Sequence, residues 1–353
     1  MTTVTAAPTT TPTRTRPSAR RTWIVPALGV LLLIAVLLSA GTGQVPIPLS
    51  HVLGAVHVGT KPTALEHTTL WDVRFPRVAL AVVIGAALAI AGALMQGVFG
   101  NPLAEPAVLG VSSGAAVGAF SVIALGLVSF GSWTTAVAGF VGGVVTTAAV
   151  YLLSRSDGRT EVVTLILTGI AVNAVTGAAI GLLTFVADDD ARTAMAFWNL
   201  GSLNRATWAA VRIVGPCLLL GLLVAVKAAG DLDLLGLGER SARHLGVRVE
   251  RLRIVLIATT ALLTAVSVAF AGVIAFVGLV VPHAVRLVAG PGHRLLLPAS
   301  ALAGAVVLVV ADLVARTAVA YQEIPLGSLT ALVGGPVFFV LIRRSRRKAG
   351  GWA

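Results

Sequence analysis

Uninterrupted apolar runs of about 20 residues, the length a helix needs to cross roughly 30 Å of hydrocarbon, recur along this chain almost from end to end. Backbone polar groups inside a bilayer must bond within the protein, so such a chain folds either as packed helices or as a closed barrel. The alternating apolar and polar residues of barrel strands are absent, which leaves helices. Composition agrees: 57% of residues are hydrophobic and 11% charged, and the mean hydropathy is +0.95, beyond what an ordinary soluble core can hide. The expected fold is an all-α polytopic membrane protein whose membrane domain occupies 22–342. About ten spans are expected, near 23–40, two within 78–126, then 132–153, 161–186, 207–227, 253–271, 273–289, 294–316 and 325–342.

Residues 85–118, GAALAIAGALMQGVFGNPLAEPAVLGVSSGAAVG, read as two apolar helices folded back on each other. Gly100, Asn101 and Pro102 mark the turn, with Pro102 placed to open the second helix, where its missing amide is not needed. Gly110, Gly114 and Gly118 recur every four residues around Ser112 and Ser113, giving a face small enough for another helix backbone to approach closely. The same spacing returns at Gly139 and Gly143 and at Gly177 and Gly181.

The net charge of +12 reflects membrane orientation rather than nucleic-acid binding. Nineteen of the 26 Lys and Arg fall in the N-terminal tail, 154–160, 227–253, 286–294 and 343–348. With an even number of spans these five regions share one side, and the positive-inside rule makes it cytoplasmic, with both termini there. Residues 1–21, rich in Thr, Pro and Arg, read as a disordered basic tail, and 343–353 as a second basic tail. The stretch after Trp23 reads as an uncleaved first span. Residues 44–75 and ADDDARTAMAFWNLGSLNRATW then lie outside, where Trp198 and Trp208 suit an interfacial belt and Asp188–Asp190 a solvated turn. The single cysteine, Cys217, cannot form an intrachain disulfide and reads as a small hydrophobe.

Ionisable residues within the spans are few: Asp312, His283 and Arg286 are the main ones, with Asp312 and Arg316 spaced to pair on one helix face and His283 read as a packing side chain. A proton-coupled transporter would be expected to keep more such groups at mid-membrane. No G-x-x-x-x-G-K-[ST] occurs, and Lys61, Lys227 and Lys348 are the only lysines, so any ATP and Mg must bind another chain. A membrane-embedded enzyme would need a cluster of acids, histidines or a nucleophile near one face, and the one tight acidic run has no neighbouring histidine. The segment 231–253, DLDLLGLGERSARHLGVRVERLR, mixes apolar residues with dense charge on short helices broken by glycine, a surface that invites a partner.

The stretch 85–118 resembles the permease family of ATP-binding-cassette importers for ferric siderophores, haem and cobalamin, whose motif runs approximately GAxLAxxGxxxQxxxRNPLAxPxxLGxxxGA. Gly85, Ala86, Leu88, Ala89, Gly92, Gln96, Asn101, Pro102, Leu103, Ala104, Pro106, Leu109, Gly110, Gly114 and Ala115 fall on it, while Gly100 replaces the family's frequent arginine. The resemblance extends from about Trp71 to Arg344. It implies the type II importer architecture in the bacterial cytoplasmic membrane, no cofactor or metal on this chain, and three kinds of protein partner: ATPase subunits, an extracytoplasmic substrate-binding protein, and a second permease copy, as a homodimer or a heterodimer. Glu239, Ala242, Leu245, Gly246 and Val247 match its GExxAxxLGV coupling pattern, a pair of short helices seated in the ATPase. Arg74, Arg77 and Arg316 match positions offering arginines to acidic residues of the binding protein. Gln96, Ser112, Ser113 and Arg192 are expected along the substrate path. GVSSGAA, ERSARHLGVRVERLR and FVGLVVPHAVRLVAGPGHRLLLPASAL look most like haem permeases, with ferric-siderophore permeases next.

Overall fold

The computed structural model describes residues 23–127, 129–156 and 159–348; the expected disordered tail at 1–21 and residues 349–353 lie outside them. Helix α1 (Ile24–Gly41) leads to two short external helices, α2 (Leu49–Gly54) and α3 (Ala64–Thr68), and a π turn that runs without a break into α4 (Phe75–Val98). Then follow α5 (Val111–Ala124), α6 (Thr134–Leu153), α7 (Val162–Val186), α8 (Asp189–Leu200) and α9 (Trp208–Leu235). The rest comprises α10 (Glu239–His244), α11 (Val249–Ala271), α12 (Val277–Ala289), α13 (His293–Thr317) and α14 (Leu326–Lys348). Among the described residues the sole sheet is an antiparallel pair of two-residue strands, Arg155–Ser156 and Arg159–Thr160. Among the described residues eight helices are long and apolar enough to cross a membrane, and α5 and α12 are shorter apolar helices.

Helix α4 is the hub. It is small and apolar on every side, and a helix of that kind belongs inside a bundle. Every residue from Ile84 to Val98 is buried, enclosed by α9, α11, α12 and α13. Two backbone crossings set the spacing. A Cβ on Gly85 would lie 2.3 Å from the Gly304 carbonyl oxygen, and one on Gly92 only 1.7 Å from that of Gly278, so α13 and α12 touch α4 main chain to main chain.

The other small-residue faces divide. Gly114 packs against Gly142 and Thr146, and Gly118 against Ala138, joining α5 to α6 as the spacing predicts. On α7, by contrast, Gly177 and Gly181 have nothing within 4 Å. That helix buries only Leu165 and Gly169, and it is held near its inner third, where a Cβ on Gly169 would meet the Val108 carbonyl at 1.9 Å.

Several expectations need correction. The second arm of the early hairpin does not start at Pro102: Pro106 opens a 3-10 turn, Pro106–Leu109, and Gly110 at φ +74° turns the chain into α5. At 14 residues α5 is about 21 Å long, short of the hydrocarbon thickness. Helix α12 has only 13 residues, because residues 272–276 are non-helical and Phe276 sits at φ +66°. This irregular backbone is enclosed by protein, with Gly201 against the Val273 carbonyl and Trp198 against Gly272, which is where a bilayer tolerates it. Asp188–Asp190 are solvent-exposed, as expected, but they open a helix rather than form a turn. Asp188 caps α8 through a 2.7 Å bond from the Ala191 amide, and Asp189 and Asp190 occupy the favourable first turn. The expected C-terminal tail is helical as far as Lys348.

Chain direction follows from the contacts. Arg316 reaches the last turn of α1, and the Leu326 amide bonds to the Gly201 carbonyl, so these ends share the outer face. His293, at the start of α13, packs over Gly97 at the end of α4, on the opposite, basic face. Ile24 and Lys348 therefore begin and end the described helices on that inner side.

Candidate functional site

Three clusters carry the chemistry. At the outer face, Arg74 donates to the Ala40 and Gly41 carbonyls (2.7 and 3.1 Å) and to that of Val45, and Arg316 to those of Thr42 (2.6 Å) and Ser39. The Ser39, Ala40 and Gly41 carbonyls belong to the last turn of α1 and those of Thr42 and Val45 to the chain just after it, so the two arginines fasten the end of α1. Arg77 grips Asp312 with Nε at 2.9 Å and Nη2 at 2.8 Å from Oδ1, and Glu323 with Nη2 at 2.6 Å from Oε1. Ser202 donates to the same Glu323 oxygen (2.9 Å), and Arg316 Nε lies 3.6 Å from Asp312. The expected Asp312–Arg316 pair is thus secondary to Arg77–Asp312. The three arginines expected to greet a partner are brought together, but as an internal clasp: Arg74 is 6% exposed, and Glu323 is the most accessible charge in the group.

At the inner face, the protruding segment is one six-residue helix, α10, between the end of α9 and the start of α11, rather than a pair of helices. Its apolar residues face two ways. Ala242 and Val247 are buried against α9 and α11, whereas Leu245 and Leu237 are about two-thirds exposed beside Arg240 and Arg243. Gly246, at φ +91°, makes the turn that lets this happen. Glu239 pairs with Arg243 at 3.3 Å and with Arg253. Nearby, Asp233 of α9 accepts from the His293 amide (2.8 Å) and contacts its ring Nδ1 (2.7 Å), tying α9 to α13.

The residues expected along a path do not form one continuous row. Gln96 is sealed in the hub, donating to the Leu279 carbonyl at 3.1 Å. Ser113 donates to Asn173 of α7 at 2.6 Å, and Asn173 donates on to the Ala107 carbonyl (3.3 Å), with Ser112 half-buried alongside. Arg192 lies further out on α8, bonded to the Thr184 carbonyl (3.1 Å) and Asp189 (2.9 Å). Asn173 was missed because nothing in an apolar helix marks one asparagine as the link to a turn 66 residues away. Glu105 was missed as a turn residue; its backbone carbonyl accepts the Val108 amide at 3.1 Å and starts the Pro106–Leu109 turn. His283 is buried, as a packing side chain should be, but its ring nitrogens have no partner among the described residues. An apolar groove of about 400 Å³ runs between α12, α13 and α14, from Phe276 past Val310 to Val333.

The model of the FecCD transport family matches residues 31–344. This chain belongs to the FecCD transport family. It is therefore an importer permease of the ATP-binding-cassette class in the cytoplasmic membrane, a transport component whose ATPase activity lies on other chains. FecCD permeases work as dimers with ATPase subunits and a substrate-binding protein. Among relatives, the hemin transport system permease protein HmuU of Yersinia pestis is 41% identical, over 92% of this chain and 97% of that one. The cobalamin import system permease protein BtuC of Halobacterium salinarum is 39% identical over the same shares. The solved structure of a metal-chelate type ABC transporter, in an inward-facing conformation, superposes with a TM-score of 0.80 at 32% identity, covering 91% of this chain and 99% of that one. PsaBC from Streptococcus pneumoniae shares the fold alone, at a TM-score of 0.59 and 16% identity. The type II importer architecture expected from the sequence is thus the fold of this FecCD member.

Proposed function

We propose that this FecCD permease carries haem inward from a binding protein, driven by ATP hydrolysis on partner subunits. The observation that carries the substrate reading is the 41% identity to a hemin permease across nearly the full length of both chains. Coupling is assigned to Glu239, Ala242, Leu245, Gly246 and Val247: Ala242 and Val247 root the segment, and Leu245 offers an exposed apolar contact to an ATPase. Docking of the binding protein is assigned to Arg74, Arg77 and Arg316, where a partner's acid would compete with Glu323 for the guanidinium of Arg77. Ser112, Ser113 and Arg192 are assigned to the path, with Gln96 supporting α12 behind it. The open Gly177 and Gly181 face of α7 and the groove beside α14 favour a second copy of this chain as the dimer partner.

The test is a proteoliposome containing this chain and its ATPase, supplied outside with the binding protein. ATP-dependent accumulation of haem supports the reading. Accumulation of cobalamin or a ferric siderophore instead keeps the importer and discards haem, and gradient-driven uptake without ATP removes ATP coupling.

A further inference from the structure

The inner face holds a buried cation that joins parts of the chain far apart in sequence. Arg253, in the first turns of α11, is 2% exposed. Its Nη2 binds the Glu239 carboxylate at the start of α10, and its Nη1 donates to the Thr160 carbonyl at 2.6 Å and lies 3.6 Å from Glu250. Glu250 completes the node: it accepts from the Thr160 hydroxyl at 2.7 Å, from the Thr160 amide at 3.4 Å and from the Tyr151 hydroxyl at 3.0 Å. Thr160 is itself 3% exposed and stands two residues before α7, and Tyr151 belongs to the last turn of α6.

We infer that Arg253 and Glu250 are positioning residues that pass displacement of α10 sideways to Thr160 and Tyr151, and so to α7 and α6. Apolar packing does not serve this route, since the cluster that buries Ala242 and Val247 joins α4, α9, α11 and α13 and contains no residue of α6 or α7. The node provides the alternative, with charge-assisted hydrogen bonds whose planar guanidinium fixes direction as well as distance. It spans three separate elements within one side chain's reach. Helix α7 follows Thr160 directly, and the two residues it buries, Leu165 and Gly169, lie in its inner third.

The inference rests on the reading of α10 as the ATPase contact, so the test keeps the two separable. The complete complex of permease, ATPase and binding protein is reconstituted, and haemin, cyanocobalamin and a ferric hydroxamate are offered in turn. Whichever the unaltered complex accumulates becomes the probe, and uptake per ATP hydrolysed is compared among variants. In Arg253→Gln, ATP hydrolysis continues while uptake per ATP falls by about tenfold, the equivalent of one charge-assisted hydrogen bond; Arg253→Lys, which keeps the charge but cannot bridge both partners, recovers part of it. If Arg253→Gln does not assemble, Thr160→Val decides, since it retains the buried arginine and removes only the hydroxyl bond to Glu250. Uptake per ATP within about twofold of the unaltered complex in the deciding variant overturns the inference, because a loss of one hydrogen bond at a working link exceeds that. Absence of any ATP-driven uptake by the unaltered complex would instead refute the importer reading itself.

Discussion

Asp312 is the sharpest place to test the outer clasp. Its carboxylate is fully buried and receives Arg77 through Nε and Nη2, with Arg316 Nε 3.6 Å away. Replacing Asp312 with Leu leaves two guanidiniums in a largely dry site, with only Glu323 to offset them. Breaking a buried pair from one side costs about 3–5 kcal/mol, whereas removing both partners in favour of apolar side chains is often close to neutral. The double variant Asp312→Leu with Arg77→Met should therefore be more stable than Asp312→Leu alone, with a coupling energy of roughly 2–3 kcal/mol. Unfolding in mixed micelles, followed by tryptophan fluorescence, gives the four corners of the cycle, and Trp71 and Trp208 lie on the same outer side with ring centroids 6.0 Å apart and planes tilted by 41°. For a chain of this size the single variant should also melt about 6–10 °C lower, at roughly 2 °C per kcal/mol. A loss below about 1 kcal/mol for Asp312→Leu would refute the reasoning, since it would place the carboxylate in the class of exposed pairs.

Two further outcomes follow from the packing and the coupling surface. Gly92→Ala should abolish monodisperse folded protein in size-exclusion chromatography, because its Cβ would overlap the Gly278 carbonyl, while Gly177→Ala should leave the isolated chain's melting unchanged within about 0.5 kcal/mol. Leu245→Asp, at a side chain that is 60% exposed, should leave melting equally unaffected yet weaken co-purification of the ATPase by about tenfold, the scale of a desolvated charge at an apolar contact; undiminished co-purification would remove Leu245 from that surface.

What the sequence could show depended on whether a feature was local. The packing face of α5 was legible because four-residue glycine spacing is a property of a single helix, and Gly114 and Gly118 meet α6 as that spacing predicts. The break before α12 was not, since hydropathy is blind to the left-handed turn at Phe276 and counts 273–289 as one run. Asp188–Asp190 looked like a turn because charge was weighed without the cap geometry that makes the first aspartate an acceptor for the Ala191 amide. The arginines of the outer face were found as a set, but their partners were not: Arg77 and Asp312 are 235 residues apart, and neither periodicity nor motif reports that distance. Arg253 was counted among the orienting charges, and its burial emerges only when α11 folds against Thr160.

The same division between local and distant contacts bears on how such a permease could move. Residues 84–98 are wedged on all sides, and the Gly85–Gly304 and Gly92–Gly278 crossings leave no clearance for α12 or α13 to slide past α4. Interiors packed this closely shift as units rather than deform. Helix α7 has the opposite character: Gly169 is pressed against Val108, Asn173 reaches Ala107 and Ser113, and beyond them Gly177 and Gly181 touch nothing in the chain. A displacement entering at the inner end of α7 would therefore turn it about the Pro106–Leu109 contact and carry with it α8, to which its outer end is joined through Leu183 and Thr184, with the hub as the fixed frame. That pivot lies beside Ser112 and Ser113, so a rotation of α7 would break or remake the Ser113–Asn173 bond and change the polar lining at that depth.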